Sequence, residues 1–300
     1  MSVRQTLSFL RQRFEEVGLR PDTRQGQNFL IDLNLLDVLV RAAELTPQDV
    51  VLEVGTGTGS LTARLAAQAG WVVTVEIDRN LCQLAREHLG PAANVTFLQQ
   101  DALKSKHVIA PELLEHVQDR MSGIPGARFK LVANLPYHIA TPLITNLLET
   151  PLVPERFVVT IQREVADRLT ARPSSKDYGS LSVWVQSQCT VRVLRELPPD
   201  VFWPRPKVSS SIVQIIPQAE LRQAIADPGY FHKFVRTVFL HRRKLLRGTL
   251  AQMYDDLSKE QVQQILESQG LAADVRAEQL TWQQLLELSE KFRAVHPSLD

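Results

Sequence analysis

The chain has 300 residues, of which 44% are hydrophobic and 22% are charged, and its formal net charge at pH 7 is +1. This length predicts one large domain with a smaller one, and the composition excludes an intrinsically disordered chain. Because the sequence shows no apolar stretch long enough for a bilayer and no secretion signal, we expect a cytoplasmic protein without a membrane partner. The two cysteines, Cys82 and Cys189, form no CxxC pair or Cys/His cluster, which predicts a reducing compartment and no metal site.

Strand and helix patterns alternate along most of the chain. The predicted strands cover residues 50–54, 71–76, 95–99, 129–133, 157–162, 181–193 and 210–216. The predicted helices cover residues 7–17, 32–44, 60–69, 79–88, 110–121, 142–148, 164–171, 257–269 and 277–292. Short apolar strands that alternate with helices predict an α/β fold with a mostly parallel, seven-stranded sheet. The segment 217–228, which has a proline at each end, and the helical pattern beyond it predict two domains, 1–217 and 218–300.

A glycine-rich loop, Gly55-Thr56-Gly57-Thr58-Gly59, joins the strand 50–54 to the next helix. Glycines let the backbone pass close to a ligand, and the helix N-terminus beyond them supplies free N–H groups. Glu76 ends the second strand about twenty residues after Gly55, where a carboxylate can accept hydrogen bonds from both ribose hydroxyls. Asp101 follows the third strand at the same edge of the sheet and can accept from an adenine amino group. These residues predict an adenosine-containing cofactor but leave NAD(P) and S-adenosylmethionine both open.

The fourth predicted strand ends in the tetrapeptide Asn134-Leu135-Pro136-Tyr137. The side-chain oxygen of Asn134 and the carbonyl of Leu135 can accept the two N6 hydrogens of an adenine and hold its nitrogen toward a sulfonium. Pro136 fixes the backbone so that this carbonyl points into the pocket, and Tyr137 offers a ring on which the base stacks. A dehydrogenase does not need this corner, whereas an enzyme that methylates a base amino group does. The sequence therefore favours S-adenosylmethionine, although the tetrapeptide alone is also compatible with an ordinary strand exit.

The order of these motifs closely resembles that of the ribosomal RNA adenine N6-dimethyltransferases, and among them the bacterial small-subunit enzymes whose loss gives kasugamycin resistance. The matching residues run from about 24 to 250, and they are 27–30, 53–59, 76, 101, 134–137, 162–166, 175–183, 202–208 and 239–244. The resemblance implies a class I Rossmann-like methyltransferase domain at 1–217, which binds S-adenosylmethionine. It also implies a small C-terminal helical domain at 218–300, which contacts RNA or the ribosome.

The resemblance further implies the residues of the site. Those expected at the cofactor are Asn28, Leu30, Gly55, Gly57, Glu76, Asp101 and Asn134. Within this set, Asn28 and Leu30 would touch the methionine part of the cofactor, and Asn134 would lie at its junction with the target base. The residues expected to carry the chemistry are Asn134, Leu135, Pro136, Tyr137 and Phe202. Phe202 would pack on the target adenine opposite Tyr137, unless it is a core aromatic that precedes a proline-rich turn.

The family transfers four methyl groups to two adjacent adenines in a hairpin loop near the 3′ end of 16S rRNA, and it acts on a partly assembled small subunit. We therefore expect this rRNA, within the subunit precursor, as the partner of a monomeric enzyme. Residues 229–254 hold six Lys and Arg and no acidic residue, which suits a phosphate backbone, although such a cluster is also compatible with plain solvated surface. One helical turn would separate Arg243 from Arg247. The predicted RNA-binding residues are Arg163, Arg168, Lys176, Arg242, Arg243, Lys244 and Arg247.

Two features depart from the family pattern. The segment 104–130 is longer than expected, which predicts an extra loop near the cofactor cleft, and Gly248 stands where the family usually has Asn. Two other functions remain open. One is another amino-methylating enzyme of the same fold, such as a large-subunit rRNA methylase that confers macrolide resistance or a DNA adenine methylase. The other is a catalytically idle RNA-binding assembly factor that keeps the fold, against which the intact corner 134–137 argues.

Overall fold

The computed structural model describes residues 7–16, 18–22, 26–254 and 256–298, without the side chain of Phe9. In chain order the helices and strands are α1 (Leu7–Glu16), β1 (Phe29–Leu30), α2 (Leu33–Ala43), β2 (Asp49–Val54), α3 (Ser60–Ala66), β3 (Trp71–Glu76), α4 (Arg79–Leu89), β4 (Val95–Gln99), β5 (Leu103–Ser105), β6 (Val108–Ile109), α5 (Pro111–Ser122), β7 (Arg128–Asn134), α6 (Tyr137–Glu149), β8 (Arg156–Gln162), α7 (Arg163–Thr170), α8 (Ser180–Gln186), β9 (Cys189–Leu197), β10 (Phe202–Trp203), β11 (Ser210–Pro217), α9 (Ala219–Gln223), α10 (Pro228–Leu240), α11 (Leu246–Met253), α12 (Lys259–Ser268) and α13 (Trp282–Val295), with 3-10 helices at Pro199–Val201 and Ala277–Gln279. Val17, the last residue of the first predicted helix, lies outside the described residues. Among the described residues no helix is both long and apolar enough to cross a membrane.

By their contacts the described residues divide into two compact units. The first contains the described residues up to Ala166 together with Arg192–Ile216, and the second contains Asp167–Val191 together with the described residues from Pro217 onward. The predicted division into domains 1–217 and 218–300 stays a prediction. The compact units differ from them in one respect, because Asp167–Val191 packs with the C-terminal helices.

The first unit is built on a seven-stranded sheet with the strand order β4-β3-β2-β7-β8-β11-β9. Strands β4, β3, β2, β7 and β8 run parallel to one another, whereas β11 pairs with β8 in the antiparallel direction. All six residues of β2 are buried, as expected for a central strand of a parallel sheet that helices cover on both faces. The predicted α/β fold with a mostly parallel seven-stranded sheet is confirmed.

Helices α2 and α3 pack on one side of this sheet. Their fully buried residues Leu39 and Leu65 belong to one apolar cluster with strand residues of five different strands, namely Val51, Val72, Val132, Val158 and Ile212. Burial of an apolar side chain of this size contributes about 1.5–3 kcal/mol. The cluster therefore fixes α3, the helix that follows the glycine-rich loop, against the strands whose ends surround that loop.

A buried ionic cluster around Asp49 closes the amino end of the sheet. The Asp49 carboxylate accepts from Lys130 Nζ at 2.9 Å and from Arg128 Nε at 3.0 Å. The same ammonium group donates to the carbonyls of Ala43 and Glu44 at the end of α2, at 3.0 and 2.8 Å. Lys130 and Asp49 are both buried, and a buried charge needs such partners. The cluster ties α2 to the sheet at the end opposite to the glycine-rich loop.

The predicted strand 181–193 is wrong in its first half. Residues Ser180–Gln186 form helix α8, and strand β9 begins only at Cys189. Five consecutive residues of α8 are buried. A short helix buried on all sides has no polar face, so periodicity does not distinguish its sequence from that of a buried strand. The hydroxyl of Ser182 accepts from the backbone N–H of Gly179 at 3.1 Å, which fixes the start of the helix.

The segment 104–130 is not the extra loop that its length predicts. Its first residues belong to a short antiparallel hairpin of β5 and β6, and α5 follows before the chain enters β7. Leu113 and Val117 of α5 are fully buried, and α5 packs against β2, β3 and β7. Much of the segment therefore forms a helix that covers the sheet.

The second unit is helical, as the predicted small C-terminal helical domain requires. Helix α10 contributes the buried residues Tyr230, Phe231, Phe234, Val235 and Val238. Phe292 of α13 stacks on Tyr254 with ring centroids 4.7 Å apart, and Trp184 of α8 stacks on His232 at 4.3 Å. Aromatic pairs in such contact contribute about 0.5–1.5 kcal/mol beyond the area that they bury. The first pair joins α13 to the end of α11, and the second joins α8 to α10.

The acid-free basic stretch is not a single helix. Residues 241–245 separate α10 from α11, and within them Leu245 forms an antiparallel bridge with Arg276. The expectation that Arg243 and Arg247 lie one helical turn apart is therefore wrong, because the bridge pulls the chain out of the helix between them. A pairing partner so distant in sequence leaves no local signal.

Candidate active site

The glycine-rich loop between β2 and α3 lies against two neighbouring segments. Gly55 and Gly57 have φ values of +86° and +55°, in the left-handed region that side chains rarely adopt. A Cβ on Gly55 would lie 3.2 Å from the ring of Pro136, and a Cβ on Gly57 would lie 3.2 Å from the ring of Phe29. Both glycines are therefore required by the turn of the chain and by the close approach of these two rings.

Glu76 ends β3 beside this loop. Its carboxylate oxygens accept from the backbone N–H groups of Gly57 at 2.9 Å and Asp78 at 3.0 Å. Burial raises the pKa of Glu76, and the two N–H donors oppose that rise because they favour the carboxylate. Each oxygen keeps a lone pair for a further donor. The carboxylate is thus fixed in place and able to accept from the two hydroxyls of a ribose.

A cleft of about 770 Å³, measured with its open mouth, lies at the carboxyl end of the sheet. Seven of the predicted site residues line it, namely Asn28, Gly55, Gly57, Glu76, Asp101, Asn134 and Pro136. Clefts of this size at the carboxyl ends of parallel strands are where open α/β sheets bind their ligands. The structure therefore brings the predicted cofactor residues to one place, with Leu30 as the exception.

The side chain of Asn134 has a fixed orientation in this cleft. Its Nδ2 donates to the carbonyl oxygen of Asn28 at 3.0 Å, and because a carbonyl only accepts, the amide nitrogen must face it. The amide oxygen Oδ1 accepts no hydrogen bond from the described residues and is available to a ligand. The segment around Asn28 is itself fixed, since the side-chain Nδ2 of Asn28 donates to the Gly26 carbonyl at 3.2 Å.

The rest of the corner joins β7 to α6. Leu135 is buried, and its N–H donates to the Thr160 carbonyl of β8 at 3.2 Å. Pro136 lines the cleft and precedes α6 with a φ of −57°. Tyr137, the first residue of α6, is half-buried outside the lining of the cleft, and its Oη lies 2.7 Å from Ser210 Oγ. Burial raises the pKa of Tyr137, so its hydroxyl is protonated at neutral pH.

Leu30 and Phe202 lie away from the cleft. They are cross-strand partners in the small sheet of β1 and β10, and only 5% and 3% of their surfaces are exposed, within the apolar core. Leu30 thus anchors the segment of Asn28 instead of lining the cleft, and Phe202 is a core aromatic before a proline-rich turn. A stacking role for Phe202 requires its ring to leave this core. The contact of either residue with a ligand stays a prediction.

The sequence did not identify several residues of the cleft. Ile77, directly after Glu76, is 55% exposed and lines it, as do His138 and Ile139 in the first turn of α6. An apolar side chain at this place is suited to cover the flat face of a base. The position of Ile77 could have predicted it. An apolar residue directly after a carboxylate that ends a strand lies outside the core of the sheet, where it can contact a ligand.

A buried polar network lies beneath the glycine-rich loop. Glu53 is fully buried, and its Oε2 accepts from the hydroxyls of Thr62 and Thr74, each at 2.6 Å. Thr74 Oγ1 in turn lies 2.6 Å from Thr56 Oγ1 in the loop. Burial raises the pKa of Glu53 to about 8, against the effect of the two hydroxyl donors. Glu53 is therefore mostly a neutral acid at pH 7 that connects the strands and α3 to the loop.

The cysteines of the chain are free and buried. Burial raises the pKa of Cys189 to about 12 and also raises that of Cys82, so neither thiol ionises readily at neutral pH. Among the described residues, no group of three or more His, Cys, Asp and Glu side chains is placed to hold a metal ion.

The basic residues predicted to bind RNA lie in both units. In the first unit, Arg163 at the start of α7 forms an ion pair of 3.2 Å with Glu196, and its side chain is 52% exposed. In the second unit, Lys176 is exposed in the loop before α8, and Arg243 and Lys244 are exposed in the turn between α10 and α11.

The other predicted basic residues are less open. Arg168 of α7 is half-buried. Arg242 Nη1 donates to the carbonyls of Lys176 and Tyr178, at 2.9 and 2.7 Å. Arg247 Nη1 donates to a side-chain oxygen of α12 at 2.6 Å. Arg242 and Arg247 therefore have structural contacts within the second unit, and their binding to RNA stays a prediction.

The chain matches known proteins over almost its whole length. The family model described as ribosomal RNA adenine dimethylase covers residues 19–294. A curated protein named Ribosomal RNA small subunit methyltransferase A, from Pediococcus pentosaceus, is 40% identical over 281 residues, which cover 93% of this chain and 92% of that protein. The protein of the same name from Halothermothrix orenii is 39% identical over 265 residues, which cover 88% and 85%.

Solved structures share the architecture. A dimethyladenosine transferase from Plasmodium falciparum superposes with a TM-score of 0.72 over 88% of this chain and 96% of its own, at 24% identity, which shows the common fold. The 23S rRNA methyltransferase ErmE superposes with a TM-score of 0.60 over 87% and 99%, at 26% identity. The family match confirms the predicted enzyme class and its cofactor, S-adenosylmethionine, and the chain belongs to the ribosomal RNA adenine dimethylase family.

Proposed function

We propose that the protein dimethylates N6 of two adjacent adenines in a hairpin loop near the 3′ end of 16S rRNA. The observation that carries the proposal is the orientation of Asn134, whose Nδ2 is held by the Asn28 carbonyl and whose Oδ1 is left to accept from a ligand. A base amino group is a donor and needs such an acceptor. The relatives named as small-subunit methyltransferases favour this rRNA over that of the large subunit.

The residues of the cleft fit S-adenosylmethionine, which supplies a methyl group on a positively charged sulfur when it is bound. Gly55 and Gly57 line the cleft with bare backbone, which a cofactor can approach closely. Glu76 would accept from the ribose hydroxyls with the lone pairs that its backbone donors leave unused. Asp101, exposed at the rim of the cleft, would accept from the adenine amino group, and Ile77 would cover the adenine ring.

The corner would present the target base to that methyl group. Asn134 Oδ1 and the Leu135 carbonyl would accept the two N6 hydrogens and so hold the amino nitrogen, whose lone pair is otherwise delocalised into the ring. Tyr137 would stack on the base, a contact worth about 1–3 kcal/mol. These residues act through positioning and electrostatics, which supply a large part of many enzymatic rate enhancements.

A stacked adenine cannot reach the corner, so the base must leave its helix or lie in a loop. Lys176, Arg243 and Lys244 of the second unit are exposed and would contact phosphates of the surrounding rRNA. Arg242 would support them, because its contact with the Lys176 carbonyl fixes the loop that carries that lysine. Arg163, Arg168 and Arg247 would contribute less, since each is paired or partly buried.

The expected substrate is a partly assembled small subunit rather than free RNA, and the expected enzyme is a monomer in the cytoplasm. The partly assembled substrate is what the family resemblance implies. The cytoplasmic location is what an enzyme that acts on ribosomal RNA requires.

The test is to incubate the protein with methyl-labelled S-adenosylmethionine and unmethylated small subunits, and to map the labelled nucleotides. Large subunits and free 16S rRNA serve as parallel substrates, and the Asn134→Ala variant serves as the catalytic control. Label on two adjacent adenines of the small subunit alone supports the proposal. Label on the large subunit alone would show a large-subunit methylase, and cofactor binding without any transfer would show an idle assembly factor.

A further inference from the structure

The ring of Tyr137 is held at both ends. Tyr137 is the first residue of α6, which fixes its Cα. Its hydroxyl lies 2.7 Å from Oγ of Ser210, a residue of β11 that is 73 positions further along the chain. Ser210 is fully buried. The tyrosine side chain therefore bridges from the corner to β11, although the corner itself follows β7.

Ser210 is a rigid partner for that hydroxyl. It begins β11 and pairs with Gln162 in the antiparallel ladder of β8 and β11. The carbonyl of the preceding residue, Ser209, accepts from the backbone N–H of Arg163 at 3.0 Å. Because the backbone on both sides of Ser210 is tied, the Cβ that carries its Oγ has a fixed position, and Oγ cannot follow a ring that moves away.

A ring that is attached only through its Cα can swing about the Cα–Cβ bond, which moves the whole ring toward or away from the corner. A hydrogen bond at Oη, the atom farthest from that bond, fixes the direction of the ring before the base arrives. Such preorganisation raises the rate by lowering the cost of ordering the site during binding. Burial raises the pKa of Tyr137, which keeps the hydroxyl protonated and able to donate to Ser210.

We propose that the hydroxyl of Ser210 is the positioning group for the Tyr137 ring, and through it for the adenine that stacks there. Ser210 acts through Tyr137 and does not touch the base. The inference deepens the proposed function and rests on it for the identity of the stacked base, whereas the position of the ring can be measured without RNA.

The test uses Ser210→Ala, with Ser211→Ala as the matched control. Ser211 is the next residue of the same strand and is equally buried, but successive side chains of a strand point to opposite faces of the sheet. Tyr137→Phe removes the same hydrogen bond from the other side and keeps the ring, so it replaces Ser210→Ala in the rate measurement if that variant fails to fold. Ser210→Gly, which also lacks the hydroxyl, then replaces it in the resonance measurement.

The first measurement is the NMR spectrum of the protein with isotope-labelled tyrosine rings. The chain has four tyrosines, so the Tyr137 resonances are identified by their loss in Tyr137→Phe. Ser210→Ala should shift the Tyr137 resonances, because the ring loses its fixed direction, while the resonances of the other three tyrosines stay unchanged. Ser211→Ala should leave all four as in the wild type.

The second measurement is the single-turnover rate of methyl transfer to small subunits, alongside the Kd for S-adenosylmethionine. Loss of one neutral hydrogen bond predicts a rate about 2- to 12-fold lower in Ser210→Ala, with the cofactor Kd unchanged. Tyr137→Phe should lose the same factor, and the double variant should lose no more than either single one.

Unchanged Tyr137 resonances in Ser210→Ala would overturn the inference whatever the activity. A double variant whose losses multiply would overturn it as well, because the two hydroxyls would then act independently. If the wild type transfers no methyl group to any ribosomal substrate, the proposed function is wrong. The resonances still decide in that case whether Ser210 positions the ring.

Discussion

Asn134 Nδ2 lies 3.0 Å from the main-chain oxygen of Asn28, a residue 106 positions earlier in the chain. This contact determines which atom of the Asn134 amide is left for a ligand, because the nitrogen is the atom that a carbonyl can bind. The orientation of the amide can therefore be tested with aspartate, a replacement of similar size that lacks the N–H group.

We expect Asn134→Asp to transfer methyl groups at least about 100-fold more slowly than the wild type, the typical loss when one positioned polar group of a transition state is removed. An aspartate has no N–H for the Asn28 carbonyl, so its oxygen is repelled and the side chain turns. Asn134→Ala should lose at least as much. Single-turnover rates give the comparison.

The same variants should bind S-adenosylmethionine within a few-fold of the wild type, as measured by calorimetry. Asn80→Ala, at an exposed position of α4, is the control and should behave as the wild type in both measurements. Equal losses of cofactor affinity and of rate in Asn134→Ala would contradict the role of Asn134 at the target base.

Glu76→Gln should weaken S-adenosylmethionine binding by about 10- to 100-fold, since hydrogen bonds to a charged group contribute about 1.5–3 kcal/mol. One side-chain oxygen is replaced by an NH2 group, which cannot accept from a ribose hydroxyl. Glu115→Ala, at an exposed position of α5, is the control. An unchanged dissociation constant in Glu76→Gln would refute the contact with the ribose.

The affinity for S-adenosylmethionine should also depend on pH through Glu76. Burial raises the pKa of this carboxyl, and only the ionised form accepts with both oxygens. As the pH falls through the raised pKa, Glu76 takes up a proton and the affinity falls. In Glu76→Gln this part of the pH dependence should be absent.

Glu53→Gln tests the neutral acid beneath the loop. In the unfolded chain this carboxyl ionises near its ordinary pKa of 4.5, and in the folded protein burial raises the pKa to about 8. Between these values the unfolded state releases a proton that the folded state keeps, so the free energy of unfolding falls as the pH rises. Glutamine keeps the acceptor for the two threonine hydroxyls and does not titrate.

The stability of Glu53→Gln relative to the wild type should therefore increase as the pH is raised across that window, as measured by denaturant unfolding at several pH values. Below the window the two proteins should respond alike to pH. A constant difference across the window would mean that Glu53 is ionised in the folded protein.

Arg243→Ala and Lys244→Ala should each weaken RNA binding and lower the slope of log K against log salt concentration by about 1, the expected loss of one phosphate contact. Lys291→Ala, at an exposed position of α13, is the control and should keep the wild-type slope. Unchanged slopes in both variants would show that the turn between α10 and α11 does not contact RNA.

The strands next to the glycine-rich loop could be predicted from the sequence with little error. The predicted strands 71–76 and 95–99 coincide with β3 and β4. Both segments are too short for a typical helix and contain β-branched residues, which favour strands. The residues at the ends of these strands followed directly, since parallel strands present their carboxyl ends at one edge. Glu76 and Asp101 do line one cleft.

The features that the sequence did not reveal come from long-range packing. Helix α8 is buried on all sides and so lacks a helical pattern. Phe202 precedes a proline-rich turn, and only its pairing with Leu30 shows that it lies in the core, while its contact with a base stays a prediction. Arg242 belongs to a basic run, yet its guanidinium contacts carbonyls 64 and 66 residues earlier in the chain. No local pattern encodes such partners.

Strand β8 lies between β7 and β11. It contacts both the corner that follows β7 and Ser210, the residue of β11 that lies next to the Tyr137 hydroxyl. The Thr160 carbonyl of β8 receives the N–H of Leu135, and two residues later Gln162 pairs with Ser210. One strand thus fixes both the backbone at the Asn134 corner and the serine that contacts the Tyr137 hydroxyl. A displacement of β8 would therefore move both groups together, whereas groups on two independent loops could move apart.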